Sequence, residues 1–155
     1  PEKRVYEICN AQSIGAAMLR GLEREEREPL LPGSACHMAG ARHTLEIMRR
    51  APVVIAVVNA LGQALDEPLT PEKRVYEICN AQSIGAAMEN MTLEATALGL
   101  GSLWICDTFF AQRELSGWLG VTGVLTAAMA VGYAGEAPPA RPRKSMEEIV
   151  EWRCD

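Results

Sequence analysis

The sequence predicts an α+β domain built as a three-layer α/β/α sandwich. Two apolar runs, 52–58 (PVVIAVV) and 124–131 (VLTAAMAV), are typical of strands buried on both faces. Residues 72–98 keep a helical apolar pattern, and shorter helical patterns alternate with the strand-like runs. Because the strands are few and helices separate them, we expect a small sheet with helices on both of its faces.

The chain begins with a string that occurs twice, letter for letter. Residues 1–18 and 71–88 both read PEKRVYEICNAQSIGAAM, and the copies diverge from Leu19 and Glu89 onward. Two copies are too few for a solenoid, which needs about three repeats to bury its core. An old repeat drifts, so perfect identity favours an artefactual or recent duplication, with the second copy in its natural context. Because the second copy falls in a helical stretch, we predict a helix for residues 1–18 as well.

The next segment, 19–28, alternates acidic residues with arginines. Glu23 and Arg27 stand at i,i+4, which indicates a solvated helix face. Pro29 ends this helix, and residues 34–40 have the composition of a loop.

The long helix at 72–98 carries few charges in its second half. Thr70 before Pro71 has the pattern of an N-cap with proline at the first helical position. A helix that is apolar nearly all round is buried by its own chain or by a partner. We therefore predict a central core helix that also forms a dimer seam. Small residues at four-residue intervals let a second helix approach closely there: Ala81, Gly85, Ala95 and Gly99.

Local periodicity and breakers predict the remaining elements. Asp107 or Thr108 is expected to cap a turn after the short apolar strand around Trp104. Residues 135–143 are proline-rich and extended. The other elements are a helix at 41–50 with Leu45 and Met48 facing inward, a strand at 103–105, a helix at 112–119 ended by Gly120, and a helical turn at 146–152.

Length and composition narrow the function classes. The 155 residues are 48% apolar and 23% charged, as expected for one globular domain, and this excludes a disordered or fibrous protein. No apolar run reaches the roughly 18 residues of a membrane span. A net charge of −5 without a basic stripe makes nucleic acid and anionic membranes poor partners. Five widely spaced cysteines and the lack of a signal-peptide pattern favour a cytoplasmic protein without disulfides.

Side chains that catalyse reactions by themselves are scarce. Cys36, His37 and His43 form the one soft-ligand cluster, and such a grouping in a Gly/Ala-rich segment is typical of chance, so we predict no metal site. The chain has no G-x-S-x-G, H-E-x-x-H or Walker motif, and its glycine-rich stretch 98–102 lacks the spacing of a dinucleotide-binding loop. A bound cofactor therefore remains as the source of any chemistry.

Three groups of residues are candidates for binding a cofactor or its substrate. A flavin carries out its own hydride chemistry, so the protein needs to bind, orient and tune it. The cluster from Arg141 to Lys144 is either a grip for a phosphate dianion or a solvated basic tail. Cys106 is either a reactive thiol or, more typically, a small buried apolar residue. The aromatic residues Tyr76, Phe109 and Phe110 line an acceptor pocket or belong to the core.

Residues 46–152 resemble the C-terminal two-thirds of the FMN-dependent nitroreductase family. The resemblance rests on several segments that occur in the same order as in the family. It implies a single domain over residues 1–155, with a small, mostly antiparallel sheet around a long central helix. The matching segments are 49–55 as the strand entry, 86–91 and 95–102 as the central helix with its glycine turn, 128–134 as the A-x-A-x-G-Y strand, and 138–143 as the tail.

The resemblance also implies a site and a reaction. It implies a homodimer with FMN at the subunit interface, in which NAD(P)H reduces FMN and FMN then reduces a nitro compound, quinone or similar acceptor. Trp104, Ile105, Cys106 and Asp107 correspond to the stretch along the flavin ring, with backbone N–H groups near N5 and O4. Arg141 and Arg143 match the basic pair in the family's tail segment that binds the phosphate.

The family's first segment has no counterpart here. An R-x-S-x-R-like stretch, which holds the phosphate and ribityl chain in the family, does not occur in residues 1–45. The leading hypothesis is an FMN-dependent oxidoreductase. The alternatives are a truncated, non-catalytic dimeric scaffold that binds a protein partner without flavin, and a flavin-destroying or dehalogenating relative on the same fold.

Overall fold

The computed structural model of the chain describes residues 7–9, 11–29, 33–63 and 67–153. Within these residues the architecture is α+β in three layers, as predicted. The strands are β1 (Glu7–Cys9), β2 (Val53–Asn59), β3 (Gly101–Ile105) and β4 (Val124–Gly132). The helices are α1 (Ala11–Arg27), α2 (Met38–Arg50), α3 (Pro71–Ala97), α4 (Gln112–Leu119) and α5 (Met146–Ile149), with 3-10 turns at Ser34–His37 and Asp107–Ala111.

The described strands form one antiparallel sheet in the order β1-β2-β4-β3. At its centre Val54 lies opposite Ala130, and Ile105 of β3 lies opposite Ala128. Alternate residues along a strand face opposite sides of the sheet, so β2 and β4 divide their apolar side chains between two cores. The small antiparallel sheet implied by the family resemblance is confirmed.

The larger core lies between the sheet and the layer formed by α1, α2 and α4. Leu45 and Met48 face inward from α2, as predicted, and both are buried. Burial of such side chains is the main stabilising contribution to a domain of this size. The buried members from the helices and from the turn after β3 include Ile14, Met18, Leu22, Leu45, Met48, Phe110 and Leu115.

The smaller core lies on the opposite face of the sheet, under α3. It contains Met88 of α3, packed on Val57, Ala127 and Met129. The prediction that α3 is a core helix is wrong for the chain taken alone, since Met88 and Ala95 are its buried residues. A single row of the helix reaches the sheet, and the apolar residues on its other sides face solvent.

The two copies of the repeated string adopt different structures. Residues 7–9 form β1 and pair with β2, whereas the same letters at 77–79 lie inside α3. The predicted helix is therefore wrong at 7–9 and confirmed from Ala11 onward, while residues 1–6 and 10 lie outside the described residues. The edge of β2 offers backbone partners to the first copy. The second copy follows a helix start in which the Thr70 hydroxyl accepts from the Lys73 N–H at 3.3 Å.

Glu23 and Arg27 of α1 are exposed, as predicted, but Arg24 and Glu25 between them are not part of that solvated face. Arg24 donates from Nε to Glu114 Oε1 at 2.8 Å, from Nη1 to Glu25 Oε2 at 2.9 Å and from Nη2 to the Phe110 carbonyl at 3.0 Å. Glu25 is buried, and the hydrogen bond to the Glu114 carboxylate raises the pKa of Arg24 above its ordinary value. Arg27 donates to the Glu23 carbonyl at 3.1 Å. The partner of Arg24 arrives from α4, so local spacing gave no sign of it.

We expect the Arg24→Met variant to lose about 3 kcal/mol of the free energy of unfolding, because it leaves the mostly buried Glu114 carboxylate without its cation. Urea denaturation measures this loss. The matched control is Arg42→Met, which removes a pair with Glu26 whose side chains are 44% and 39% exposed, and we expect it to lose less than about 1 kcal/mol. Equal losses in the two variants would contradict the structural role assigned to Arg24.

Two further segments show how far local signals reach. Residues 34–40, predicted as a loop, form the Ser34–His37 turn and the start of α2, because Gly33 adopts a left-handed φ of 86° before a continuous helical run. The helix α4 ends at Gly120, with a φ of 63°, as predicted.

Among the described residues, no helix has both the length and the apolar content to cross a membrane.

Candidate functional site

The stretch 104–107 lies where β3 passes into the 3-10 turn Asp107–Ala111. Trp104 and Ile105 end the strand, and the Cys106 carbonyl accepts from the Phe109 N–H at 3.0 Å. The predicted side-chain cap at Asp107 or Thr108 is wrong: Cys106 occupies the cap position and makes no side-chain cap bond. The four residues expected along a flavin ring therefore form one continuous strand-to-turn corner.

Successive side chains of this corner face different layers. Ile105 is 1% exposed and belongs to the larger core, so its side chain is closed to a ligand. Trp104 is 40% exposed on the opposite side of the sheet. A Cβ placed on Gly85 of α3 would lie 3.8 Å from its indole ring. In the chain taken alone, Gly85 therefore lies beside the indole ring of Trp104. The sequence had predicted that a second helix packs against this glycine.

The other end of the corner is attached to α2. The Thr44 hydroxyl donates to Asp107 Oδ2 at 2.7 Å, and both side chains are partly buried. Cys106 lies between the two attachments and is exposed, so its interpretation as a small buried residue is wrong. The corner is held on both sides and presents its apex to solvent.

The basic pair lies elsewhere in the fold. Arg141 and Arg143 are exposed on the extended segment between β4 and α5. In the part of the chain that the structure describes, no hydrogen bond or ion pair engages either guanidinium. The structure therefore assembles residues 104–107 into one corner, whereas no such bond joins the arginines to it.

A groove runs between α3 and the end of β2. It consists of two neighbouring cavities of about 160 and 410 Å³ that share Asn59 and Ile84. Phe109 lines the smaller one, so the predicted pocket role fits Phe109, while Phe110 is buried and Tyr76 is exposed. Three polar residues that line the larger cavity were not predicted from the sequence: Asn59, Asn80 and Ser83. Their only local signal is a polar side chain at the end of an apolar strand or within an apolar helix.

The soft-ligand cluster found in the sequence is divided by the fold. His37 stacks on Phe110 with ring centroids 6.2 Å apart, and Cys36 Sγ donates to the Gly33 carbonyl at 3.1 Å. Over the described ranges, no group of three or more His, Cys, Asp and Glu side chains is placed to hold a metal ion.

The donor set is chemically suited to a flavin mononucleotide. The corner offers backbone N–H groups on an exposed apex, since the first N–H groups of a 3-10 helix precede its own bonding pattern. Exposed guanidinium groups suit a phosphate. The larger cavity, at about 410 Å³, lies within the usual range of small-molecule pockets, about 300–1,000 Å³, but neither the corner at 104–107 nor the arginine pair lines it.

Comparison with known proteins finds a matching family and similar folds. A model of the nitroreductase family matches residues 3–133. A BluB-like flavoprotein from Clostridium difficile 630 is similar in structure, with a TM-score of 0.68 and 21% identity over 96% of this chain and 78% of that chain. At such identities the likeness concerns the fold.

Two further solved structures are similar. The FMN and NADPH-dependent nitroreductase NfnB from Sphigopyxis sp. strain HMH has a TM-score of 0.61 and 14% identity over 97% of this chain and 79% of that chain. The FMN-dependent nitroreductase NfnB from Mycobacterium smegmatis, solved in complex with NADPH, has a TM-score of 0.62 and 17% identity over 96% of this chain and 78% of that chain.

Proposed function

The chain belongs to the nitroreductase family, and on that basis we propose that it is an FMN-dependent oxidoreductase that uses NAD(P)H to reduce nitro compounds, quinones or similar acceptors. Family membership makes it an oxidoreductase in kind. The observation that carries the finer proposal is the corner at 104–107, whose exposed apex is anchored to helices on both sides of the sheet.

The corner would hold the ring of the cofactor, with its backbone rather than its side chains. When bound, FMN supplies the transfer of hydride between NAD(P)H and the acceptor. N–H groups that are already oriented stabilise negative charge without reorganising, and this is the contribution we assign to the backbone of Cys106 and Asp107. The buried Ile105 side chain keeps that backbone in place.

The exposed arginines would hold the phosphate. Arginine binds phosphate through two parallel N–H donors, and the described contacts of Arg141 and Arg143 leave both guanidinium groups available for such a bond. Pro142 between them restricts the backbone to an extended conformation, which lowers the entropy lost on binding.

A second copy of the chain would complete the site. Large apolar side chains of α3, among them Val75, Ile78 and Leu93, are more than half exposed. An exposed apolar surface of this kind is typical of a protein interface. We propose a cytoplasmic homodimer in which α3 forms the seam and FMN lies where the subunits meet.

We expect the purified full chain to bind added FMN and turn yellow, and the Arg143→Ala variant to bind FMN about ten- to a hundredfold more weakly, as for one lost charge-assisted contact. Flavin fluorescence titration measures both dissociation constants. Arg153→Ala is the control, since Arg153 is an exposed arginine paired with Glu151 near the end of the chain.

Two results would count against these assignments. If Arg143→Ala binds FMN as tightly as Arg153→Ala does, Arg143 is not a phosphate ligand. A colourless protein that takes up no added FMN would overturn the oxidoreductase proposal and favour the non-catalytic dimeric scaffold.

A further inference from the structure

Thr44 uses its hydroxyl differently from the hydroxyl residues of α3. Ser83, Thr92 and Thr96 each donate to the carbonyl four residues earlier, at 3.0, 3.1 and 2.9 Å. This back-bonding is the usual arrangement for a hydroxyl within a helix. Thr44 has one hydroxyl proton, and it goes to Asp107, 63 positions along the chain, at 2.7 Å. Its bond therefore joins two parts of the fold.

The donor stands on a rigid support. Ala41, Leu45 and Met48, on the turns of α2 around Thr44, are buried in the larger core. A hydroxyl on such a helix cannot follow its acceptor if the acceptor moves. The short O–H···O distance is in the range of about 2.5–2.7 Å typical of a bond to a carboxylate. The bond therefore restrains Asp107 far more than it restrains Thr44.

Asp107 is the last residue of the corner and the first of the 3-10 turn. Ile105, two residues earlier, is fixed in the core, and Cys106 between them is exposed. Thr108, the next residue, is buried as well, so Cys106 and Asp107 are the part of the corner that the core does not hold. The bond from Thr44 restrains this part and fixes the position of the negative charge on Asp107.

We propose that Thr44 is a positioning residue of the flavin site: by holding the Asp107 carboxylate on the α2 side, it orients the N–H groups of the corner and keeps that charge in one place. This inference rests on the proposed function, because it assigns Thr44 a role toward bound FMN. Reduction adds negative charge to the flavin, and a carboxylate free to approach it would oppose that change.

The test compares Thr44→Val with Thr44→Ser in the full chain. Valine keeps the shape of threonine and removes the hydroxyl, whereas serine keeps the hydroxyl. We expect Thr44→Val to raise the FMN dissociation constant about tenfold, because the corner and the Asp107 side chain then have to be ordered when FMN binds, and to lower the reduction potential of bound FMN. We expect Thr44→Ser to resemble the wild type in both. Circular dichroism of the flavin-free variants establishes that each is folded.

The Asp107→Asn variant separates the effect of the carboxylate charge from the effect of side-chain packing. In Asp107→Asn the carboxylate charge is gone, so adding Thr44→Val should leave the potential nearly unchanged. If the wild type binds FMN and Thr44→Val matches it in both affinity and potential, the role of Thr44 is refuted while the proposed function stands. If the wild type binds no FMN, the proposed function itself fails, and this role fails with it.

Discussion

Replacing Ile14 by alanine should lower the free energy of unfolding by about 3 kcal/mol, whereas replacing Ile84 should lower it by about 1 kcal/mol. The two isoleucines occupy the same place in the same repeated string. Ile14 is 0% exposed in the larger core, and its removal leaves a cavity among tightly packed neighbours. Ile84 is half-buried at the edge of the smaller core and already lines the groove, so less packing is lost.

Urea denaturation of the two variants measures the difference, and few proteins offer so closely matched a control. The letters around both sites, 11–18 and 81–88, are identical and helical, so intrinsic helix propensity cancels, and the remaining difference is one of position and packing: Ile14 lies in the first turn of α1, and Ile84 lies in the middle of α3. Repeating the measurement at several protein concentrations separates folding from association, because dimer dissociation depends on concentration. Equal losses of unfolding free energy in the two variants would show that the first copy does not stabilise the larger core.

The second large effect that we expect is the loss of the dimer when exposed apolar residues of α3 are replaced. Val75 and Leu93 are each 58% exposed and stand 18 residues apart, which is five helical turns, so they lie on one side of the helix. We expect the wild-type chain to be a dimer and the Val75→Glu/Leu93→Glu double variant to be a monomer, because two unpaired carboxylates in an apolar seam are strongly unfavourable. We also expect the monomer to lose FMN, since the proposed site lies between subunits.

Sedimentation equilibrium gives the mass, and flavin fluorescence gives the binding. The control is Ile149→Glu, which places a carboxylate on a 60% exposed isoleucine of α5 and should leave the dimer intact. A monomeric wild type would refute the seam on α3. A dimeric double variant would place the interface on another surface.

Local signals in the sequence were sufficient for several elements. The helix α3 was predicted from Thr70, Pro71 and the periodicity that follows, and α4 from its pattern and Gly120. The strands β2 and β4 were predicted from uninterrupted apolar runs. In each case the cause lies within a few residues of the effect, because caps, breakers and helical periodicity act along the chain.

Elements that depend on distant partners were not predictable in this way. The burial of Arg24 and Glu25 depends on Glu114, which lies 90 positions from Arg24. The bond from Thr44 to Asp107 spans 63 positions and has no local signal. In the candidate site, the corner at 104–107 was located through its resemblance to a family, whereas its attachment to two layers became visible only in the folded chain.

The repeated string shows which structure follows from the local sequence and which depends on contacts with distant residues. The part that is helical in both copies, 11–18 and 81–88, forms a helix in two different environments. The letters EIC form a strand at 7–9 and a helix at 77–79, so the sequence by itself determined neither. The tertiary structure decided, because the free edge of β2 pairs with the first copy, while a capped helix start already supplies backbone partners to the second.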